Sequence, residues 1–323
     1  MLSKILKEHI PIDVTKMRSA NFTQEQLKNE QDKIARIEHG SGWKKINQCP
    51  LCGNSNAKEF LIKYSNPLLL CANCELAYHE KIPANLDDIY KDEAYKIFTT
   101  EETSEHFEYK KNRFGKERVS LLESICGNLA EKKILDVGCG NGYFLAAAKE
   151  KSEHCFGSEF SKKNREKAKF NTGLPIYSEP LESFPEKNFD IIVSFDVIEH
   201  VENLPEFIKT ISGLLKKGGQ VLFYTPNYDS FSVKLLKEYS SYVDPTEHII
   251  LFNSASLEYF GKIGDLKVIY MASRGLDISN ILAYQLYKDG KQDEFLLKNI
   301  NDLQAMIDHS CCADSMRVIY KKN

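Results

Sequence analysis

Three groups of residues in this 323-residue chain have types and spacings that can do chemistry. The first is Cys49-Pro50-Leu51-Cys52 and Cys71-Ala72-Asn73-Cys74, two Cys-x-x-Cys pairs 18 residues apart. Such knuckles close on one tetrahedral ion, and four thiolates leave no open position, so the expected metal is one structural zinc. It would fold a segment too short for a core of its own. The second group is an apolar run, Ile134-Leu135-Asp136-Val137, feeding Gly138-Cys139-Gly140-Asn141-Gly142. Glycines make that turn tight and let a ligand approach the main chain where a Cβ would collide. A dinucleotide turn needs a small residue where this chain has Tyr143, so the spacing argues against a dinucleotide. Nineteen residues beyond Gly140, Glu159 ends the next apolar run and is placed to accept from both hydroxyls of a ribose.

The third group follows the apolar run Phe189–Phe195: Asp196, Glu199 and His200. Ligands of open α/β sheets bind at the carboxyl ends of the strands, which makes His200 the candidate general base and Glu199 its orienting or substrate-binding partner. His248, in Asp244-Pro245-Thr246-Glu247-His248, is a further candidate in an irregular, aromatic-rich segment. Tyr224, Tyr228, Tyr239 and Tyr242 are candidate walls of an acceptor pocket there. Lys162, Lys163, Arg165, Lys167 and Lys169 interleave with Glu166 and form a solvated helix face.

Stepping from these groups to the elements that must carry them, short strands are expected at Ile134–Val137, Cys155–Ser158, Pro175–Tyr177, Phe189–Phe195 and Val221–Thr225. Helical stretches lie between several of them, the pattern of parallel βαβ units. The clearest helix runs from Leu204 to Lys217, with Pro205 in its first turn and Gly218-Gly219 as its stop. Asn253 or Ser254 caps a helix through Phe260, and Leu266–Ala272 and Met316–Tyr320 are two final strands. Four regions follow. Residues 1–46 are a polar, helical accessory arm whose thin apolar stripe is Leu27, Ile34 and Ile37. Residues 47–85 are a self-contained cysteine module, and residues 86–130 a helical connector in which Phe114, Arg118, Leu121, Leu122 and Ile125 recur at helical spacing. Residues 131–323 are the main domain, with a helical insertion at about 275–312.

The glycine loop, Glu159, the stretch Phe189 to Val201, Gly218-Gly219-Gln220-Val221 and Thr225-Pro226-Asn227 together resemble the class I S-adenosylmethionine-dependent methyltransferases. The resemblance implies an α/β, Rossmann-like domain with a seven-stranded, mostly parallel sheet and helices on both faces, plus a small N-terminal zinc-binding module. It also implies that Asp136, with the turn Gly138-Cys139-Gly140 and Gly142, holds the methionine moiety of S-adenosylmethionine, and Glu159 its ribose. Leu181 would flank the adenine, and Phe195 and Asp196 would stand beside the sulfonium. The cysteine module followed by Tyr78, Pro83 and Ile89-Tyr90 through Tyr95 resembles the zinc-knuckle head of a bacterial subgroup, some of whose members act on nucleotide-linked sugars, polysaccharide or natural-product intermediates.

The formal charge of −3, from 43 basic and 46 acidic residues, provides no general attraction to nucleic acid. No run of 18 uncharged apolar residues is present, and the charged N-terminus lacks the pattern of a signal peptide, so a cytoplasmic enzyme without membrane contact is expected. The expected activity is methyl transfer to a small polar acceptor. The alternatives are an RNA or protein methyltransferase whose zinc module grips a macromolecule, and a non-catalytic cofactor-binding protein.

Overall fold

The computed structural model describes residues 6, 9–85 and 103–323; the Ile89–Tyr95 stretch of the connector lies outside the described residues. Helix α1 (Phe22–His39) leads into five short strands, β1 (Trp43–Lys45), β2 (Ala57–Lys63), β3 (Asn66–Cys71), β4 (Ala77–His79) and β5 (Lys81–Pro83). Helix α2 (Ser104–Lys110) passes through a π turn at Lys111–Gly115 into α3 (Lys116–Cys126). Then strands and helices alternate: β6 (Ile134–Val137), α4 (Tyr143–Ala148), β7 (Cys155–Ser158), α5 (Lys162–Thr172), β8 (Ile176–Tyr177), β9 (Phe189–Phe195), α6 (Leu204–Leu214) and β10 (Leu215–Pro226). An irregular segment holds α7 (Phe231–Leu236) and β11 (Ile250–Leu251). The chain ends with α8 (Ser254–Ile263), β12 (Leu266–Ser273), three helices α9 (Asp277–Asp289), α10 (Glu294–Lys298) and α11 (Ile300–His309), and β13 (Ser315–Lys322).

Seven strands form the central sheet in the order β12-β13-β10-β9-β6-β7-β8. The five from β10 to β8 are parallel, and β13 runs antiparallel to both its neighbours. Successive side chains of a strand point to opposite faces. Leu135, Ile192, Phe223 and Tyr320 therefore pack into one apolar cluster, while Ile134, Val193, Leu222 and Ile319 pack into another. Burial on both faces is why these strands read as continuous apolar runs. The architecture is a Rossmann-like α/β fold with a seven-stranded, mostly parallel sheet and a four-cysteine cluster near the N-terminus.

Helix α6 stops at Leu214 rather than at Lys217, because Leu215 already pairs with Phe189 and the ladder resumes, after a shift, at Gln220. Lys322 Nζ donates to the carbonyls of Ser212 and Leu215 at 2.6 and 2.9 Å, which satisfies the last turn without a further helical residue.

The N-terminal region departs further from expectation. Helix α1 buries a polar face, Thr23, Gln26, Asn29, Glu30 and Lys33, along with Ile37. Of the expected apolar stripe, Leu27 and Ile34 are only half-buried. Glu30 pairs with Lys63 of β2 at 2.7 Å and accepts from Tyr64 Oη at 3.0 Å, while Lys33 pairs with Glu247 and, at 3.5 Å, with Asp244. Charges this deep are tolerated only when paired. The cysteine segment is likewise not self-contained. Its strands join a four-stranded sheet, β11-β4-β3-β2, whose edge strand β11 comes from the irregular segment of the main domain, with Ile250 pairing with Tyr78.

Removing one partner of a buried pair leaves the other charge uncompensated. Lys33→Met is therefore expected to lower unfolding free energy by about 3 kcal/mol. By contrast, Lys162→Ala, which breaks only the exposed 3.9 Å pair with Glu166, should change it by about 0.3 kcal/mol. Urea titration of both variants checks the contrast.

Candidate functional site

The turns leaving β6, β7 and β9 meet at the carboxyl ends of three adjacent parallel strands. Gly138 has φ 72° and packs so closely that a Cβ there would stand 2.5 Å from Val197 Cγ2, so the turn after β6 leans directly on the turn after β9. Gly140 also has positive φ, 55°, yet among the described residues no atom beyond its two chain neighbours lies within 4 Å of where its Cβ would be. The first glycine is required by the protein and the second leaves room for something else. Glu159, at the end of β7, spans the turn: its Oε2 accepts from the Gly140 N–H and its Oε1 from the Ser161 N–H, both at 2.8 Å. Each carboxylate oxygen keeps a second lone-pair direction for a ligand hydroxyl.

Asp136, at the end of β6, is buried with Oδ1 lacking any hydrogen-bond partner among the described residues. Burial pushes its carboxyl up to about 8; nearby Arg118 works against that rise and Glu159 adds to it. Arg118, from α3, is itself buried. Its guanidinium lies over the rings of Phe195 at 3.9 Å, Tyr224 at 5.1 Å and Tyr143 at 5.4 Å, and it donates to Tyr143 Oη. The π turn at Lys111–Gly115 is what lets α3 come so near: Gly115 is so close to α4 that a Cβ would stand 2.9 Å from the Tyr143 carbonyl. Arg118 was legible only as an oddity, a charged residue on the apolar stripe of Phe114, Leu121, Leu122 and Ile125.

Of the other residues expected around the cofactor, Phe195 packs edge-on against Phe144 at 5.1 Å, and Asp196 is exposed with φ 55°, an uncommon conformation for a residue with a side chain. Leu181 is half-buried in a 3₁₀ turn, Leu181–Ser183. Gly142 begins α4 with φ 86°, close against Ala168 and Thr172. The Cys139 side chain turns into the core with Leu145 and Ala147, so only its main chain faces the turn.

One turn beyond Asp196, Glu199, His200 and His248 come together, each offering a side-chain ligand atom within 4.8 Å of the others. Glu199 is wholly buried; Thr225 Oγ1 donates to its Oε2 at 3.0 Å, while Oε1 lies 4.0 Å from His200 Nε2. Burial holds its carboxyl well above the usual range, with Asp196 adding to the rise. His200 Nδ1 donates to the Glu247 carbonyl at 2.9 Å, and His248 Nδ1 to the Tyr242 carbonyl at 3.0 Å. A carbonyl can only accept, so both imidazoles carry a proton on Nδ1. Burial, with the neighbouring imidazole adding to it, pushes His200 down to about 4; the two rings are 5.1 Å apart.

Among the four tyrosines, Tyr224 reaches Arg118 and Tyr242 stacks on His248 at 6.2 Å. Tyr228 instead donates to the Glu75 carbonyl beside the cysteine cluster, and Tyr239 packs on Tyr284 at 4.9 Å. Of the basic residues of α5, Lys162, Lys163 and Lys169 are exposed and Lys167 is half-buried, whereas Arg165 is half-buried and donates back to the carbonyls of Glu159 and Phe160 at 2.8 and 2.9 Å. The four cysteine sulfurs cluster within 4.8 Å of one another, with Cys49–Cys74 and Cys52–Cys71 at 3.5 Å. His79, near them in sequence, is fully buried with neither ring nitrogen hydrogen-bonded among the described residues.

Comparison with known proteins identifies the domain. Residues 105–268, just over half of the chain, match the family model of a methyltransferase domain. The chain is 25% identical to a ubiquinone biosynthesis O-methyltransferase of Nitrosomonas europaea over 195 residues, covering 52% of this chain and 83% of that protein. It is 35% identical to the enzyme of the same name in Pelagibacter ubique over 124 residues, 36% of this chain and 49% of that one. Among solved structures, a methyltransferase from Archaeoglobus fulgidus has a TM-score of 0.46 at 18% identity, covering 68% of this chain and all of that one. The chain belongs to the methyltransferase-domain family and is an S-adenosylmethionine-dependent methyltransferase.

Proposed function

We propose that this enzyme methylates a small polar acceptor, such as a nucleotide-linked sugar, a polysaccharide precursor or a natural-product intermediate, held between the end of β9 and the segment 227–249. The observation that carries this is the convergence of two different groups at one end of the sheet. The Gly140 cradle with Glu159, Asp136 and Arg118 suits the donor, and Glu199, His200 and His248 lie one turn further on. S-adenosylmethionine, when bound, supplies a methyl group already activated on a sulfonium.

The chain's residues then have positioning to do, which is where much of the rate of an in-line displacement arises. Glu159 holds the ribose hydroxyls. Asp136 offers its orphaned Oδ1 to the ammonium of the methionine moiety, and Arg118 offers its guanidinium to the carboxylate. Gly138, the Cys139 main chain and Gly142 shape the turn, while Leu181 borders the adenine. Phe195 and Asp196 stand at the strand end nearest the methyl group. Glu199, His200 and His248 receive the reacting atom of the acceptor. The small-molecule acceptor is supported by the names of the similar ubiquinone enzymes and by the cysteine segment, which is built into a sheet with β11 instead of projecting as an arm to grip a macromolecule. Cys49, Cys52, Cys71 and Cys74 would hold one structural zinc, and the closeness of their sulfurs fits it.

Calorimetry should detect S-adenosylmethionine binding, and Glu159→Ala should weaken it by about 2 kcal/mol, roughly thirtyfold; unchanged affinity would remove the ribose assignment. Metal analysis should return about one zinc per chain, lost in Cys71→Ser, and a folded, zinc-free wild type would refute the cysteine site. In a screen of polar acceptors, His200→Ala should lower turnover on the order of a hundredfold while cofactor affinity holds. Full activity in that variant would end its assigned role.

A further inference from the structure

Beside the donor end, three guanidiniums converge on too little negative charge. Arg274, immediately after β12, and Arg317, on β13, both reach Glu117 Oε1 of α3 through Nη1, at 3.3 and 2.7 Å. Arg113, in the π turn before α3, shares a further acceptor with Arg274: both donate through Nη2 to the Ile10 carbonyl, and Arg113 Nε donates to the Pro11 carbonyl at 2.9 Å. Asp308 also lies near Arg274, but its Oδ1 accepts from the Gly275 N–H and from Gln304 at 3.0 and 2.9 Å, and its Oδ2 stands 3.6 Å from His9. Carbonyls carry partial charge only. Arg317 Nε, buried, has no acceptor at all among the described residues. Burial, and then the Arg274 charge beside it, hold the Arg113 guanidinium below its ordinary value. Like charges gathered in a half-buried place are costly unless an anion joins them.

The cluster stands at the carboxyl end of the parallel strands and touches both halves of the site. Arg317 lies opposite Tyr224 in the β10–β13 ladder, and the Tyr224 ring meets the Arg317 guanidinium at 5.7 Å and that of Arg118 at 5.1 Å. From the segment 227–249, Tyr242 Oη reaches to 3.4 Å from Ser315 Oγ, at the start of β13. The segment that supplies the two carbonyls is lightly anchored: no residue from Ile10 to Met17 is buried, and Ile10 is 52% exposed. A stretch that buries so little apolar surface opens at low cost.

We propose that Arg113, Arg274 and Arg317 form a binding site for a phosphoryl group carried by the acceptor, whose oxygens take the place of the Ile10 and Pro11 carbonyls. Guanidinium forks match phosphate oxygens in geometry, and exchanging a neutral carbonyl for an anion strengthens each hydrogen bond. Arg113 Nε and Nη2 and Arg274 Nη2 already point at one place, and Arg317 Nε leaves a fourth donor of the cluster without an acceptor. A carboxylate offers two oxygens, whereas a terminal phosphate offers three, so the donor count favours phosphate. The site rests on the proposed acceptor reading and narrows it: among small polar acceptors it selects phosphorylated or diphosphate-linked ones. The phosphoryl group is held and oriented, and no bond to phosphorus forms or breaks.

The probe is inorganic pyrophosphate, titrated by calorimetry into the full chain. About one pyrophosphate per chain should bind, Arg113→Gln and Arg274→Gln should each weaken it about tenfold, and malonate should bind the wild type about tenfold more weakly than pyrophosphate does. S-adenosylmethionine affinity, unchanged in both variants, reports that they are folded. Saturating pyrophosphate should also speed tryptic cleavage after Lys16, because the Ile10–Pro11 segment is released. No binding, binding that neither substitution weakens, equal affinity for malonate, or cleavage unaltered at saturation would each overturn the proposal. Turnover tells a phosphorylated acceptor from a free phosphate ligand: the acceptor's KM should rise about tenfold in Arg274→Gln, and an unaltered KM would remove the acceptor from this site. The binding readouts need no turnover, so an acceptor screen in which nothing is methylated would count against the proposed function and leave the pyrophosphate site standing.

Discussion

Two main-chain carbonyls, those of Tyr242 and Glu247, set the protonation of the two histidines at the proposed acceptor end. Each takes the Nδ1 proton of a histidine, so each fixes which ring nitrogen has a lone pair to offer. Carbonyls on an irregular segment are poor reference points unless the segment is immobilised. Here the bracing comes from three directions: Asp244 folds the turn onto Thr246, Lys33 pins Asp244 and Glu247 to α1, and β11, two residues on from His248, adds to the sheet of the cysteine segment. The N-terminal region thereby braces the segment that carries the proposed acceptor end.

The two ends of the site are therefore built by different means. The donor end is local to the sheet: glycines with positive φ, a carboxylate bridging backbone N–H groups, and strand ends placed by parallel pairing. The acceptor end is assembled from distant segments, and its energetics depend on buried ion pairs. Such pairs add little net stability when compared with apolar packing, but losing one member is expensive. An arrangement of that kind favours a single conformation of the loop over a range of alternatives, which is what a site that orients two imidazoles requires.

Much of the geometry at the proposed donor end was legible in the sequence. The strands of the main sheet announce themselves as apolar runs because both faces are buried, and the glycine spacing with Glu159 defines a ligand turn by steric necessity. The two cysteine pairs were equally readable, since metal-ligand spacing is local. The rest depended on contacts that periodicity cannot reveal. Helix α1 read as a loosely attached arm because its apolar residues are few, whereas it is held by Glu30 and Lys33, whose partners lie on β2 and beyond β10. The early end of α6 depended on Leu215 finding Phe189 and on Lys322, the last residue of β13, reaching back to cap it. His200 and His248 were each picked out, but not their meeting, nor the carbonyls that set their protonation.

The most direct measurement of this account is the protonation pattern of His200 and His248 in the 15N-labelled chain, read by long-range nitrogen–proton correlation at neutral pH without added metal. Both rings should carry their proton on Nδ1, with Nε2 unprotonated. A proton resident on Nε2 of either ring would mean that the carbonyls of Tyr242 and Glu247 do not hold the imidazoles as described, and the acceptor end would have to be rebuilt from other residues.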